Sequence, residues 1–327
     1  VFLSGGLDSS AIAAFAAAAL PEPPPAYTIA FEGMNAFDYA LSTIVMSDDS
    51  PFATQAAAAS GLPLTRVHVP RVELAEDVAR IARHNDALPA WEQEVAQDRL
   101  ARAAAGTVKA VLVGDAADET HFGYHFLLDA AATADPAVIL RRFGQVPVRR
   151  EVLADPMATF TDRYRAWMRP AASQAERVAG TTALIVERWL PRLLHNGDIH
   201  TMRAGLEARV PFADVELLAL AAAVPSATGL AGGREKALLR AALHGVVPDE
   251  IRLRLKSALP KDQGAAAVLQ REASRLLADP PALVQALVDL PALAPWLDPR
   301  RTLVEWERAA LFRVICLCHF GHHHGIP

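Results

Sequence analysis

The first ten residues constrain the fold of this chain more than any other stretch. Residues 1–3 are apolar and suit a buried parallel strand, residues 4–10 read Ser-Gly-Gly-Leu-Asp-Ser-Ser, and residues 11–20 are alanine-rich and favour a helix. Paired glycines let a backbone approach a ligand closely, and free N–H groups at a helix N-terminus attract an anion. The sequence therefore predicts a strand, a tight loop and a helix start that together bind a phosphate or pyrophosphate group.

This loop differs from the two most familiar phosphate-binding patterns. A Walker loop ends in Gly-Lys-Ser/Thr and a dinucleotide-binding fingerprint has three spaced glycines, and the sequence contains neither. Residues 4–9 instead resemble the pyrophosphate loop of the ATP pyrophosphatase families, which split ATP into AMP and pyrophosphate while adenylating a substrate. An ordinary glycine-rich turn is the alternative, and six matching positions between a strand and a helix count against it.

Composition fits an enzyme with a small-molecule partner. The 327 residues are 52% hydrophobic, which is enough for a large core. Lys and Arg total 32 against 37 Asp and Glu, for a net charge of −5, and no long basic run predicts nucleic-acid binding. The sequence has no apolar run of membrane-spanning length and no signal-type start, so we expect no membrane partner. With only two cysteines, the expected location is the reducing cytoplasm. Because Val1 lies inside a predicted core strand, we expect a further N-terminal region to precede it.

Strand and helix patterns alternate through the first third of the chain. Strands are predicted at residues 27–31, 65–69 and 108–113, and helices at residues 50–59, 75–83 and 92–105. Such alternation predicts an α/β fold with a doubly wound parallel sheet, whose ligands bind beyond the carboxyl ends of the strands. We assign residues 1–134 to this α/β core, of the ATP pyrophosphatase (adenine nucleotide alpha hydrolase-like) type.

Beyond about residue 135 the strand signals disappear, and the patterns are those of helices broken by proline and glycine. The predicted helices lie around residues 137–143, 157–168, 174–194, 215–223, 235–244 and 303–320. Residues 135–327 are therefore predicted to form a helical C-terminal lobe that completes the same domain.

A second loop follows the predicted strand at residues 108–113. Residues 114–119 read Gly-Asp-Ala-Ala-Asp-Glu and place three carboxylates together, those of Asp115, Asp118 and Glu119. Carboxylates at close range repel one another unless a cation neutralises them, and Mg²⁺ is the expected cation if ATP binds opposite. A solvated acidic turn is the alternative.

The first loop and four motifs that follow it in order make this chain resemble one enzyme family. The first loop and residues 114–119 are followed by Leu-Glu-Ala-Arg-Val-Pro-Phe-Ala-Asp at 206–214, Lys-Ala-Leu-Leu-Arg at 236–240 and Arg-Leu-Lys at 254–256. The set resembles the synthetase domain of the asparagine synthetase family, whose members include β-lactam synthetases and the cyclases that close lasso-peptide macrolactams. The resemblance extends from residue 1 to about residue 263 and fades beyond it.

The resemblance implies a nucleotide site at the matched positions. The ATP phosphates would be held by six residues of the first loop: Ser4, Gly5, Gly6, Asp8, Ser9 and Ser10. Gly114, and backbone in the strand ending near Phe31, would lie against the adenosine. Asp8 and Asp118 would be the ligands of Mg²⁺.

The resemblance also implies catalytic roles. Lys236 and Lys256 would face pyrophosphate and the acyl-adenylate, since fixed cations stabilise the charge that develops on the leaving group. Asp115 would lie where the amine meets the adenylate, and Glu207 with Arg209 would shape the acceptor side. A solvated basic helix end is the alternative for Lys256.

Two departures from the family pattern put the product in doubt. Asparagine synthetases have Glu where this chain has Asp115, the position that the β-lactam-forming branch also changes, and they usually have Leu where it has Ala213. The leading interpretation is an ATP-dependent ligase that adenylates aspartate and transfers it to ammonia. A cyclase that joins a larger carboxylate to an amine and a non-catalytic nucleotide-binding relic are the alternatives. The glutaminase domain of the family, with its N-terminal cysteine nucleophile, is a possible partner outside this chain.

The end of the sequence is rich in cysteine and histidine. Residues 316–324 contain Cys316, Cys318, His319 and three consecutive histidines, which are potential Zn²⁺ ligands. Cys-x-Cys followed directly by His lacks the second spaced pair of a structural zinc site. A helix end that is exposed or partly packed is therefore the preferred interpretation over a metal site.

Overall fold

The computed structural model describes residues 1–34, 37, 39, 47–140, 145–168, 170–257, 261–262 and 264–326. Over these residues the chain is a mixed α/β protein in which helices predominate and the paired strands run parallel. The prediction of an α/β fold is confirmed at this level, and the described sheets are small. The finer assignment to a doubly wound sheet of the ATP pyrophosphatase type stays a prediction.

Two parallel strand pairs are joined through residues 1–3. The described strands are β1 (Ala26–Phe31), β2 (Leu64–Val69), β3 (Ala110–Leu112) and β4 (Glu207–Arg209), with β1 paired to β2 and β3 to β4. Phe2 forms a parallel bridge with Tyr27, and its N–H donates to the carbonyl of Leu112 at 3.0 Å. The segments therefore lie in the order β2, β1, residues 1–3, β3, β4.

This order places the two predicted loops side by side. Along the sheet, β1 and β2 lie on one side of residues 1–3 and β3 and β4 on the other, so the chain order reverses at that point. Segments that leave adjacent parallel strands at such a reversal diverge and open a crevice, where α/β sheets bind their ligands. The loop after residue 3 and the loop after β3 leave the sheet at this point, so we expect the crevice between them.

The expectation that no strand follows residue 135 is wrong. β4 lies within the motif at residues 206–214 and pairs with β3, with Ala110 opposite Glu207 and Leu112 opposite Arg209. Three residues are too few to show the alternation that predicts a strand. The segment is a strand because its backbone satisfies the edge of β3, where the N–H of Glu207 donates to the carbonyl of Lys109 at 3.0 Å.

Helices occupy most of the remaining described chain. In the first part they are α1 (Leu7–Ala19), α2 (Ser50–Ala59), α3 (Leu74–His84), α4 (Gln93–Ala105), α5 (Ala117–Thr120), α6 (Ala130–Ala134) and α7 (Pro136–Leu140). Next come α8 (Pro156–Trp167), α9 (Gln174–Arg188), α10 (Leu190–Arg203), α11 (Val215–Ala222), α12 (Ser226–Gly229), α13 (Ala237–Ala242) and α14 (Asp249–Arg252). The last are α15 (Ala266–Leu276), α16 (Ala282–Leu287), α17 (Leu290–Leu293) and α18 (Glu305–His324).

Within the described residues most predicted helices are confirmed, with two differences. α1 begins at Leu7, four residues before the predicted start, because extended Gly6 caps it directly, so the last residues of the first loop form its first turn. The single helix predicted at residues 174–194 is two helices, α9 and α10, which meet at Trp189 just before Pro191. Residues 141–143 of another predicted helix lie outside the described residues.

The largest hydrophobic cluster crosses the predicted division at residue 134. It combines residues from β1, α3, α15 and α18, among them Ile29, Phe31, Val78, Ile81, Leu269, Leu311, Phe312 and Ile315. α18 lies at its centre and packs against α3, α15 and α16. The C-terminal helices therefore share one core with the sheet.

Within the described parts of the chain, no single helix is both long and apolar enough to cross a membrane. One bent pair of short helical segments, Val215–Ala222 with Ser226–Gly233, passes on length and composition alone.

We predict that α18 contributes much of the stability of the fold. Leu311 in α18 is 0% exposed, so Leu311→Ala should lower the free energy of unfolding by about 2–5 kcal/mol through lost burial and a cavity. Leu220→Ala in α11 is the matched control, because Leu220 is 66% exposed, and it should change stability by less than about 0.5–1 kcal/mol. Urea unfolding of the two variants measures the difference, and equal losses would contradict the central role of α18.

Candidate active site

The first loop is held in shape by its own hydroxyl groups. The N–H of Ser4 donates to Ser9 Oγ at 3.1 Å, the two hydroxyls lie 3.0 Å apart, and the N–H of Gly6 donates to Ser4 Oγ at 3.2 Å. Gly5 adopts a φ of +79°, and a Cβ at this position would overlap the backbone N of Ala53 in α2. Glycine is therefore required at Gly5 both by its backbone conformation and by its close approach to α2.

The second loop lies in backbone contact with the first. A Cβ on Gly114 would lie 2.8 Å from Ser9 N and 3.1 Å from Asp8 Cβ. Only a residue without a side chain allows this approach, so Gly114 brings the acidic motif against the first turn of α1. The structure thus brings together the two loops that the sequence singled out.

Two carboxylates and two lysines form the centre of the site, which we call the charged cluster: Asp8, Asp118, Lys236 and Lys256. Lys236 Nζ lies 2.6 Å from Asp8 Oδ2 and 2.5 Å from Asp118 Oδ1. Lys256 Nζ forms an ion pair with Asp118 Oδ2. The lysines of the third and fourth motifs, at residues 236–240 and 254–256, therefore meet the carboxylates of the two loops. For Lys256, these contacts argue against a solvated helix end.

The electrostatics of the charged cluster favour the ionised forms of Lys236 and Asp118. Burial would lower the pKa of Lys236, which is only 4% exposed, but the carboxylates of Asp118 and Asp8 outweigh that effect and hold the pKa above its ordinary value. Burial would likewise raise the pKa of Asp118, but the ammonium groups of Lys236 and Lys256 outweigh it and hold the pKa below its ordinary range. Lys236 and Asp118 keep their charges at neutral pH because each has an opposite charge in contact.

Backbone conformations around the charged cluster are unusual. Among the described residues other than glycine, positive φ angles occur at Ala116, Phe122 and Lys236, with values of 70°, 55° and 55°. The N–H of Lys236 donates to the carbonyl of Phe122 at 3.3 Å, which ties two of these residues to each other. Such conformations cost on the order of 1–3 kcal/mol each and persist where the surrounding structure over-determines them, which is typical of functional sites.

Gly123 is a residue of the candidate site that the sequence analysis did not identify. A Cβ at Gly123 would overlap Asp118 Oδ1 and Lys236 Cε and would lie 2.6 Å from Asp118 Cα. The missing side chain leaves the space in which these two residues meet. The sequence signal for Gly123 was its position between Phe122 and Tyr124, shortly after the acidic motif. No spacing rule predicts that the Asp118 and Lys236 side chains meet where its Cβ would lie.

The other carboxylates of the second loop are not paired with lysines and have raised pKa values. Burial, followed by the charges of Asp118 and Asp8, raises the pKa of Asp115 to about 6. Burial, followed by the charge of Asp118, raises the pKa of Glu119 to about 7, although Tyr124 donates a hydrogen bond to this carboxylate. The expected repulsion within the loop is thus relieved in part by the two lysines and in part by these shifts towards the protonated form.

The charged cluster is suited to Mg²⁺ only together with a nucleotide. The described residues contain no group of three or more His, Cys, Asp or Glu side chains arranged to hold a metal ion. Within the same residues, Asp8 Oδ1 and Ser10 Oγ are buried without a hydrogen-bond partner. Mg²⁺ is commonly held by one or two carboxylates plus phosphate oxygens, and Asp8 with Asp118 fits that requirement. The Mg²⁺ ligands stay a prediction.

Two predicted residues lie away from the charged cluster. Glu207 pairs with Ala110 at the beginning of β3, whereas the site loop leaves from the end of that strand. Its side chain is exposed and forms an ion pair with Arg209 at 2.9 Å. Phe31 is buried in the largest hydrophobic cluster at the end of β1, so only backbone near it is available to a ligand.

The cysteine and histidine tail forms the end of α18. Cys316 and Cys318 are buried, and burial raises the pKa of the Cys318 thiol to about 12 and that of Cys316 well above its ordinary value. His319 contacts Glu272 at 3.1 Å, and the three histidines that follow are exposed. A partly packed helix end describes this tail, and its thiols are expected to be inert.

Comparisons with known proteins agree with the resemblance. The family model described as asparagine synthase matches residues 1–313. The chain is 28% identical over 286 residues to asparagine synthetase (glutamine-hydrolyzing) 3 of Bacillus subtilis (strain 168), which covers 80% of this chain and 44% of that protein. The chain therefore spans less than half the length of this curated relative.

We predict that Gly123→Ala separates Asp118 from Lys236. The added methyl group overlaps both side chains, and overpacking of this kind should lower the free energy of unfolding by about 1–3 kcal/mol. Gly180→Ala is the matched control, because a Cβ at that position in α9 meets nothing within 4 Å and alanine should stabilise the helix by roughly 0.5–1 kcal/mol. Urea unfolding measures both changes, and an unchanged stability for Gly123→Ala would contradict the assigned contact.

Proposed function

Because this chain belongs to the asparagine synthase family, we propose that it is an ATP-dependent ligase that activates a carboxylate as an acyl-adenylate and transfers the acyl group to ammonia or an amine. The observation that carries the proposal is the charged cluster, in which Lys236 and Lys256 both contact Asp118 beside the first loop. A core of the ATP pyrophosphatase type is part of the same proposal.

The arrangement supports cleavage of ATP between its α- and β-phosphates. A carboxylate oxygen of the substrate would attack the α-phosphorus, and the bond to the bridging oxygen would break so that pyrophosphate leaves. Lys236 and Lys256 would stabilise the charge that develops on pyrophosphate, as would N–H groups in the first turn of α1. Mg²⁺, held by Asp8 and Asp118 with the phosphates, would supply further charge neutralisation.

Lys236 has a second role in this proposal. In the absence of nucleotide its ammonium group neutralises both Asp8 and Asp118. When phosphates arrive, they offer Lys236 an alternative set of acceptor oxygens, which frees carboxylate oxygens. Lys236 would thereby serve as counter-ion of the free protein and as a cation for the leaving group.

Asp115 is the proposed residue of the second half-reaction. An amine that attacks the acyl carbon expels AMP and must lose a proton. Asp115 lies on the loop in contact with Asp8 and Ser9 through Gly114, and its pKa of about 6 suits a group that accepts a proton near neutral pH. Gly197 of α10 faces it, since a Cβ there would lie 3.5 Å from Asp115 Oδ2.

Aspartate with ammonia is the leading substrate pair. The short side chain of Asp115 favours, as the alternative, a cyclase that acts on larger substrates. A shorter carboxylate than the family's Glu, opposite a residue without a side chain, leaves room for a bulkier amine or carboxylate. A β-lactam or macrolactam cyclase of the same family is therefore the second candidate. The relative from Bacillus subtilis is described as glutamine-hydrolyzing, and delivery of ammonia from glutamine by a glutaminase domain outside this chain is part of the leading proposal.

A non-catalytic nucleotide-binding relic is the weaker alternative. Nothing in nucleotide binding alone requires two lysines on one partly buried carboxylate, or the backbone strain that accompanies them. A relic would also have no use for a carboxylate poised to accept a proton.

The first functional prediction concerns the products of ATP cleavage. With Mg²⁺ and a suitable carboxylate from a substrate panel, the protein should release AMP and pyrophosphate in equal amounts. Asp118→Asn, which weakens the contact of both lysines, should lower the rate by at least about 10²-fold. Asp298→Asn is a matched control because Asp298 pairs with the exposed Arg300. Chromatography of the nucleotides measures the result, and carboxylate-dependent formation of ADP and phosphate would overturn the mechanism.

The second functional prediction concerns Asp115. Asp places its carboxylate one methylene, on the order of 1.5 Å, closer to the backbone than Glu would, and misplacement by about 1 Å can cost on the order of 10²-fold in rate. Asp115→Glu should therefore increase formation of asparagine from aspartate and ammonia, measured by amino-acid analysis. If aspartate elicits no pyrophosphate in either form while a larger carboxylate or peptide does, the cyclase candidate replaces the asparagine one.

A further inference from the structure

Arg254 belongs to the fourth motif but has no role in the chemistry proposed above. Its Nη2 donates to Asp49 Oδ1 at 2.7 Å and to Ser47 Oγ at 2.8 Å, and its Nη1 donates to the carbonyl of Gly5 at 3.2 Å. The guanidinium carbon lies 3.9 Å from the ring centroid of Phe52. One side chain therefore joins the segment that carries Lys256 to the first loop and to the start of α2.

The contacts of Arg254 are shielded from water. Its side chain is 10% exposed and that of Asp49 is 12% exposed. Charge-assisted hydrogen bonds in such surroundings are stronger and better defined than surface ion pairs. Because the carbonyl of Gly5 is held as well, the backbone of the first loop and that of the Lys256 segment are fixed relative to each other.

Arg240, from the third motif, holds the same segment from the opposite side. Its Nη1 donates to the carbonyls of Arg252 and Arg254 at 2.5 and 3.2 Å, and its Nη2 pairs with Glu235 at 2.8 Å. Glu235 immediately precedes Lys236. The segments that deliver the two lysines to Asp118 are thus bound to each other through one buried guanidinium.

We propose that Arg254 is a positioning residue, which sets Lys256 at its working distance from the first loop. The inference rests on the proposed function, in which Lys256 faces a leaving group held by that loop. Arg254 acts through Gly5, Asp49 and the backbone that leads to Lys256, and it touches no reacting atom. A guanidinium is required because it donates in several directions while stacking on a ring, which a lysine ammonium does not do.

The role is tested first by the reactivity of Lys256 in the nucleotide-free protein. Acylation by a water-soluble N-hydroxysuccinimide ester, followed by peptide mass spectrometry, gives the rate of modification at each lysine. Arg254→Met should release Lys256 from Asp118. The rate of modification of Lys256 should then rise by about tenfold, because one charge-assisted hydrogen bond that shields it is lost. The exposed Lys109 is the internal standard, and its rate should not change.

The role is tested next by kinetics of pyrophosphate release. Arg254→Met should lower kcat by about 10²-fold, with a change in KM for ATP of no more than about threefold, because Lys256 acts on the transition state. Arg254→Lys keeps the charge beside Asp49 and should recover only part of the loss. Arg300→Met is the matched control, since Arg300 is 89% exposed, and it should leave kcat and KM unchanged.

The outcomes separate positioning from stability and from the proposed function. If Arg254→Met lowers stability but leaves both the reactivity of Lys256 and kcat unchanged, the residue is merely structural and the inference is overturned. If that variant does not fold, Asp49→Asn cuts the same ion pair more mildly and must shift Lys256 reactivity in the same direction. If the wild-type protein releases no pyrophosphate with any carboxylate, the proposed function fails, and the labelling result still decides whether Arg254 positions Lys256.

Discussion

One ammonium group shared by two carboxylates holds the site together. Lys236 reaches Asp8 in the first turn of α1 and Asp118 in the second loop, and these residues are 228 and 118 positions away from it in sequence. Lys236 is buried, so removing its carboxylate partners would leave an uncompensated buried charge, which typically costs about 3–5 kcal/mol. The loops that carry these residues are therefore constrained to one arrangement, and their close glycine contacts and left-handed residues follow from that constraint.

The same charges that stabilise the free protein are the ones the proposed reaction needs. A site that must stabilise a departing pyrophosphate needs fixed cations. Before nucleotide binds, carboxylates in contact with these cations neutralise their charge. The arginines complete this arrangement, because Arg240 and Arg254 bind backbone carbonyls and thereby orient the segments that carry the lysines. In the proposed reaction, little reorganisation of side chains would then be required on nucleotide binding, which is the source of catalytic advantage in preorganised sites.

Local patterns predicted the parts of the fold that depend on nearby residues. The strands at β1 and β2 and the helices α2, α3 and α4 agree closely with their predicted limits, because hydrophobic periodicity and the Ser-Pro start of α2 are local signals. The start of α1 was placed too late, since alanine content marks the middle of a helix and not its cap. β4 was missed because three residues become a strand only when another strand edge accepts them.

The sequence by itself identified the candidate site residues, because a glycine-rich loop, an acidic motif and two lysine motifs are recognisable from residue type and spacing. Only the tertiary structure decided which of them meet. It brought Asp8, Asp118, Lys236 and Lys256 together, kept Glu207 at the far end of its strand, and gave Gly123 and Arg254 their places. The physical reason is that ion pairs between distant segments depend on the order of the strands and on space such as that left by Gly123. Patterns of neighbouring residues in the sequence specify neither of these.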